Sequence, residues 1–250
     1  MTRQEATGKT ADKATGKATG KAADRQRIPL NKDRVLRAAV ALADTTGIDA
    51  LSMRRLAQEL DVVPMALYKH VANKEELLDG MADAVVGEID PPAAGPDWQY
   101  VIRGRILSAR RVLLRHPWAA RVIESRTGPT PAVLAHLDSM AGTFRAGGLS
   151  ADLTHHAMHA MGSRLLGFSQ ELFDTAGPAG PPDPALAARF PHIAELAATA
   201  AHDDGSTVGG GCDDQAEFEF ALDLLLNGLA TLHRQGWTSA PAERPATPER

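Results

Sequence analysis

Residues 51–79, LSMRRLAQELDVVPMALYKHVANKEELLD, decide the fold of this 250-residue chain. Ser52 is placed to cap a helix over Met53–Leu60, because its hydroxyl can accept one of the N–H groups that a helix start leaves open. Asp61 follows as a turn residue that tolerates positive φ. Pro64 suits the first turn of a short helix ending near Val71, where the N–H it lacks has no intrahelical acceptor. Asn73 with Glu76 three residues later reads as a capping box that opens a further helix through Ile89. Small Ala57 at the crossing, with Leu56, Leu60, Val62 and Leu67 around it, lets the first two of these helices meet closely as a helix-turn-helix. The outer side of the second helix, Pro64, Met65, Ala66, Tyr68, Lys69 and His70, mixes small residues that fit a groove with donors that reach phosphates or base edges.

Upstream, Asn31 can cap a helix to Thr46, with Leu30 and Val35 at the positions of a hydrophobic staple and Val35, Ala39, Leu42 and Ala43 as the inward stripe. Gly47 suits the positive-φ position that ends it. Four helices thus occupy residues 31–89. Residues 1–27 contain no Leu, Ile, Val or Phe and repeat Lys at 9, 13, 17 and 21. This composition reads as a disordered basic arm, either a solubilising tail or an auxiliary DNA-contacting one.

Downstream, PPAAGP at 91–96 marks a domain boundary or sharp bend. Helices are expected near 97–115, 118–125, 131–147, 150–174, 184–201 and 214–236, with no alternating β-branched run competing. The resulting organisation is all-α: an arm (1–27), a helix-turn-helix domain (28–90), a helical ligand-binding and dimerisation domain (97–237) and a frayed tail (238–250).

Composition narrows the function. With 44% apolar and 23% charged residues the chain can build a substantial core, and one cysteine excludes an intrachain disulfide or a cysteine zinc cage. No membrane-length apolar run or signal peptide is read, so the expected location is cytoplasmic, without a membrane partner. The net charge of −4 is uneven: residues 1–80 carry 14 Lys and Arg against 11 Asp and Glu, the remainder 13 against 20. One end is suited to approach DNA and the other is not. No Gly-rich phosphate loop, GxSxG elbow or paired acidic motif supports an enzyme, and no cofactor is expected.

The quoted stretch, with the preceding AAVALADTTGIDAL, resembles the DNA-binding domain of the TetR family of bacterial repressors. The resemblance implies that Arg54 contacts a base, that Pro64, Met65, Ala66, Lys69 and His70 face the major groove, and that Ser52, Tyr68 and Lys74 grip phosphates. The tetracycline repressor has Gln-Pro-Thr where this chain has Pro64, Met65 and Ala66, so a different operator is implied, read with fewer base hydrogen bonds and more apolar contact to thymine methyls. A single reading helix covers few base pairs, so a homodimer on a palindromic duplex operator is expected.

The breadth of the apolar surface on FEFALDLLLNGLATL suggests both a core face and a partner face, and the helix from Asp152 to Asp174 is similar. Phe168, Leu172, Phe218, Leu222, Leu225 and Leu229 are the candidate dimer residues, giving a four-helix interface across a dyad. FxFxLxLxxxGL also resembles the tetracycline-repressor type of C-terminal domain, which implies a pocket whose small-molecule effector relieves repression. Metal-assisted binding in the tetracycline repressor needs a histidine in the loop that here reads ARVIESRTGPTP and contains none, although Glu171 is retained on the later helix; an apolar or aromatic effector is therefore favoured over magnesium-tetracycline. Trp118, Arg121, Met158, Met161 and Arg164 are the pocket candidates, each also suited to ordinary packing. His155, His156 and His159 have a spacing that could hold zinc or nickel, but packing is the preferred reading and no metal is assigned. Cys212, between glycines and aspartates, is read as a bystander thiol.

Overall fold

A computed structural model of the chain describes residues 29–166, 184–192, 194, 195 and 214–239. Among the described residues all regular structure is helical: α1 (Lys32–Thr46), a single 3-10 turn (Ile48–Ala50), α2 (Met53–Glu59), α3 (Pro64–Leu67), α4 (Lys74–Val86), α5 (Trp98–Arg115), α6 (Ala119–Glu124), α7 (Pro131–Ala146), α8 (Ala151–Leu166), α9 (Pro184–Arg189) and α10 (Asp214–Arg234). The arm before Ile28, Phe168, Glu171, Leu172, Cys212 and the tail from Ala240 lie outside the described residues.

Side chains start these helices as their chemistry dictates. Asn31 Oδ1 accepts from Arg34 N at 2.8 Å, Ser52 Oγ from Arg55 N at 3.2 Å, and Asn73 Oδ1 from Glu76 N at 2.8 Å. The capping box at α4 is shifted by one residue, because Glu76 reaches the Ala72 N–H at 2.7 Å rather than that of Asn73. Lys32 Nζ donates to the other Glu76 oxygen at 2.7 Å and ties the start of α1 to that of α4. Gly47 closes α1 at φ 79°, ψ 155°, a region open essentially to glycine alone.

Val35, Ala39, Leu42 and Ala43 are buried, as their spacing requires, and α1 packs on α2 and α4. The approach of α4 to α1 is close at Gly80, where a Cβ would lie 2.7 Å from a methyl of Leu36. The same α4 also packs on α5, α6 and α7, so it belongs to both halves of the architecture. A second core gathers Ile102 and Ile106 from α5, Met140 and Phe144 from α7, Leu153 and Met161 from α8, and Phe218 and Leu222 from α10.

The helices of this second core are antiparallel in pairs. Arg103 of α5 donates to Asp223 at 2.7 Å and Glu219 at 2.7 Å, while Arg110 further along reaches Gln215, so α5 and α10 run in opposite directions. Asp152, at the start of α8, accepts from Ser239 beyond the end of α10, whereas Arg164 near the end of α8 donates to the Glu217 carbonyl.

Three elements are shorter than the sequence implies, one of them α9, which stops at Arg189 where a single helix over 184–201 is expected. The short helix keeps regular α geometry only to Leu67, and His70 N bonds back three residues to Leu67 at 2.8 Å. Likewise α4 ends at Val86, and Glu88 and Ile89 continue in three-residue turns. Both ends tighten as helix termini commonly do when the next bonds must turn the chain.

Candidate functional site

The joint between α2 and α3 determines what the N-terminal helices expose. Asp61 stands at φ 54°, with its N–H on the Gln58 carbonyl at 3.2 Å and the Val62 N–H on the Ala57 carbonyl at 3.0 Å. These two bonds are the Schellman arrangement, which reverses the chain within two residues. The reversal leaves Val62 half-buried and turns Val63 outward, 68% exposed. On α3, Leu67 is fully buried and Val71 after it nearly so, whereas Met65 is 71% and Tyr68 44% exposed, with Pro64 and Lys69 also at the surface.

Ala66 and His70 flank this surface half-buried. Ser52, Arg54 and Lys74 are exposed, and the Ser52 hydroxyl, which accepts in its cap, retains a proton to donate. Among the described residues no hydrogen bond or ion pair engages the side chains of Arg54, Lys69 or Lys74. All nine residues expected at a nucleic-acid surface therefore keep accessible area. Val63 joins them; the sequence places its neighbour Val62 inward at the crossing and assigns Val63 no role.

The second feature is an apolar cavity of about 120 Å³ walled by α4 (Val85, Val86, with Ile89 beyond it), α5 (Ile106, Ala109), α7 (Val133, Met140) and α8 (Met158, Met161, Leu165). That is the order of size at which an apolar cavity accepts one aromatic ring. Its one titratable wall residue is His136, whose Nδ1 lies 2.8 Å from Arg105 Nη2. Burial, with the Arg105 charge added, lowers the His136 imidazole to about 4.

Comparison with known proteins accords with both features. Residues 35–81 match the model for bacterial regulatory proteins of the tetR family, and residues 91–233 match that for the tetracyclin repressor-like C-terminal domain. An HTH-type transcriptional regulator of Saccharopolyspora erythraea is 34% identical over 207 residues, covering 80% of this chain and 85% of the relative.

This chain belongs to the TetR family.

The class D tetracycline repressor of Escherichia coli is 43% identical over 96 residues, 37% of this chain and 44% of that one. Among solved structures, a possible TetR family transcriptional regulator from Streptomyces coelicolor superposes with a TM-score of 0.64 at 31% identity, covering 81% of this chain and all of that one. ActR of the same organism, solved with (S)-DNPA, gives 0.61 at 28% identity over 82% of this chain and 100% of ActR.

In this TetR-family chain the five pocket candidates separate. Met158 and Met161 line the cavity. Trp118 does not: it is 6% exposed, and its indole N–H donates to Asp44 Oδ1 at 2.6 Å. Arg121 is exposed and pairs with Asp49 at 2.6 Å. Arg164 holds the Glu217 carbonyl, with its guanidinium 4.7 Å from the Phe218 ring centre. Both Trp118 and Arg121 were drawn away by carboxylates some seventy residues earlier in the chain, a pairing that no local pattern announces.

Four of the six dimer candidates lie among the described residues. Phe218 and Leu222 are fully buried, Leu229 is 7% exposed, and Leu225 packs against the same core, so this stripe serves the protomer's own interior. The apolar residues left outside on α10 are Phe220, 63% exposed, and Leu224, 57% exposed. His155, His156 and His159 are at the surface, with the His155 and His159 ring centres 4.6 Å apart and His156 edge-on to Trp237 at 5.3 Å.

Polar links join the N-terminal helices to this core. His116 Nδ1 meets Asp44 at 2.8 Å and its Nε2 meets Glu88 at 3.3 Å. The Arg115 hydrogen bond holds Glu88 below the usual carboxylate range against partial burial, and His116 adds to it. Arg126, between α6 and α7, reaches Glu75 at 2.6 Å and Asp79 at 3.3 Å on α4, and Asp83 accepts from the Ala132 N–H at 3.1 Å. Among the described residues no helix is long and apolar enough to cross a membrane.

Proposed function

We propose that this TetR-family regulator works in the cytoplasm as a homodimer that represses transcription from a palindromic duplex operator and leaves it when an apolar or aromatic small molecule enters the cavity. Residues 28–90 form the reading head in this account, and residues 97–237 the effector and dimerisation part. The observation that carries the reading is the two-sidedness of α3, with Leu67 sealed inside while Val63 and Met65 stand 68% and 71% exposed beside Tyr68 and Lys69. Large apolar groups at such exposure on a helix-turn-helix suit contact with thymine methyls, and the adjacent cations suit phosphates. BioQ, a structural relative with a TM-score of 0.55 at 27% identity over 81% of this chain, was solved with its double-stranded DNA operator.

For the dimer, Phe220 and Leu224, exposed on α10, and His155, His159 and Ser163, exposed on α8, supply surface that a second copy would cover. For the release, α4 is the shared element. Leu77 and Met81 pack inside the N-terminal helices, and Val85 and Val86 at the other end form cavity wall. A ligand that fits the cavity better with α4 displaced shifts the population toward that state, and a ligand fitting both equally shifts nothing.

Selection from a random duplex pool with the full chain tests the reading. An enriched inverted repeat, with half-sites about one helical turn or more apart, is expected. Enrichment of nothing over the starting pool would refute it. Binding without sequence preference would favour a nucleoid-type role.

A further inference from the structure

Arg105 differs from Arg110, the other buried arginine of α5, which bonds Gln215 and lies over the Phe218 ring, and from two less buried arginines. Arg103 and Arg126 are each held by two carboxylates. Arg105 is 7% exposed, and among the described residues no carboxylate pairs with it. Its Nη2 meets His136 Nδ1 at 2.8 Å, its Nη1 reaches Ser139 Oγ only at 3.5 Å, and its Nε is buried without a partner. A buried cation without a counter-ion is a standing cost to the fold, and burial lowers its pKa accordingly. Groups kept at such a cost cluster where a ligand completes them.

The hydrogen bond between them also settles what His136 offers. A guanidinium only donates, so the Nδ1 of His136 must accept, and the neutral ring carries its proton on Nε2. Among the described residues nothing accepts from that Nε2–H, and the ring belongs to the cavity wall. The cavity thus combines an apolar wall with one donor, backed by an uncompensated positive charge 2.8 Å behind the ring.

We propose that the effector is an apolar ring compound carrying one anionic oxygen, a carboxylate or phenolate, that this oxygen accepts from His136 Nε2–H, and that Arg105 is the positioning residue that fixes the tautomer and supplies the balancing charge. This rests on the cavity being the effector site. His136, rather than the residues around Trp118 and Arg121, then decides which ligands are admitted. An apolar site with one oriented polar contact is the common form of small-molecule pockets.

The test uses the full-length protein with benzoate and its neutral counterpart benzamide, single rings that match the cavity, titrated by calorimetry while the methyl signals of Met158 and Met161 report its occupancy. The wild type is expected to bind the carboxylate at least about tenfold more tightly than the amide, as a charge-assisted hydrogen bond implies. Arg105→Gln should bring the two to within about twofold with amide binding unchanged, whereas Arg105→Lys, which keeps the charge, should retain part of the preference. The imidazole nitrogen spectrum of His136 should show the Nε2–H tautomer in the wild type. Equal binding of the two probes, survival of the preference in Arg105→Gln, or an Nδ1–H tautomer would overturn the anion reading while leaving the cavity as an effector site. Binding of neither probe to the folded wild type would overturn both.

Discussion

Arg126 offers a quantitative test of how the N-terminal helices are tied to the core. Its side chain is 11% exposed, and its guanidinium joins the segment between α6 and α7 to Glu75 and Asp79 on α4. Burial opposes the charge, yet the hydrogen bonds that the guanidinium donates to Glu75 and Asp79 hold it above its ordinary pKa. Arg126→Met keeps the packing of the stem and removes the charge. The two carboxylates are 69% and 48% exposed, so they rehydrate when released and are not stranded.

Each such half-exposed pair is worth about 0.2–1 kcal/mol, and the loss is partly offset because the buried, unpartnered Arg126 Nε disappears as well. The net cost should be about 1 kcal/mol, or a fall in melting temperature of about 2–4 °C for a chain of this size. A double-mutant cycle with Glu75→Gln, read by urea unfolding, should give a coupling of about 0.5–1 kcal/mol. Strict additivity would show that the 2.6 Å contact carries no energy. A loss above about 4 kcal/mol would show that the carboxylates are stranded after all.

Three further outcomes follow from the same geometry. Asp61→Gly should raise stability by about 0.5–1 kcal/mol in urea melts, because φ 54° costs a side-chain-bearing residue what glycine does not pay. His136 titrates at about 4 in the fold against 6.5 unfolded, so between those values the unfolded chain binds more protons and stability is lost as pH falls through that window. With its ring only half-buried the loss should be about 1–2 kcal/mol after solvent screening, and His136→Gln should remove that part of the pH dependence of melting. Phe220→Arg with Leu224→Arg should yield a folded monomer by sedimentation, whereas Leu222→Arg, placing a charge at a fully buried position, should unfold the chain.

The fold was legible where local chemistry acts alone. Asn31, Ser52 and Asn73 cap the helices they precede, and Asp61 takes the positive φ its short polar side chain tolerates. The stripe Val35, Ala39, Leu42 and Ala43 is buried because a period of 3.6 residues identifies a face. Periodicity does not say what covers that face. On α10 it picked out Phe218, Leu222, Leu225 and Leu229 as dimer candidates; within one protomer they pack into the core with residues of α5, α7 and α8, and the outward pair is Phe220 and Leu224.

The cavity shows the same divide. Met158 and Met161 could be picked out because they lie on the inward side of one helix, whereas Trp118 and Arg121 answer to Asp44 and Asp49, far off in sequence. His136 did leave a signal, since it interrupts the apolar spacing Val133, Leu137, Met140 on α7. Its partner Arg105 is 31 residues away on another helix, and only the folded chain brings them together.

The central claim is that the outward face of α3 reads DNA. The most direct measurement is anisotropy titration of the full chain at about 0.15 M salt, an ionic strength that screens nonspecific phosphate contacts beyond about 8 Å, against the selected duplex and a scrambled one. Wild type should prefer the selected duplex by about a thousandfold or more. Met65→Glu, at a position 71% exposed, should melt as the wild type does yet lose that preference, because its carboxylate would enter a groove lined with phosphates. Equal binding of wild type to both duplexes, or a Met65→Glu variant that keeps full preference, would contradict the account.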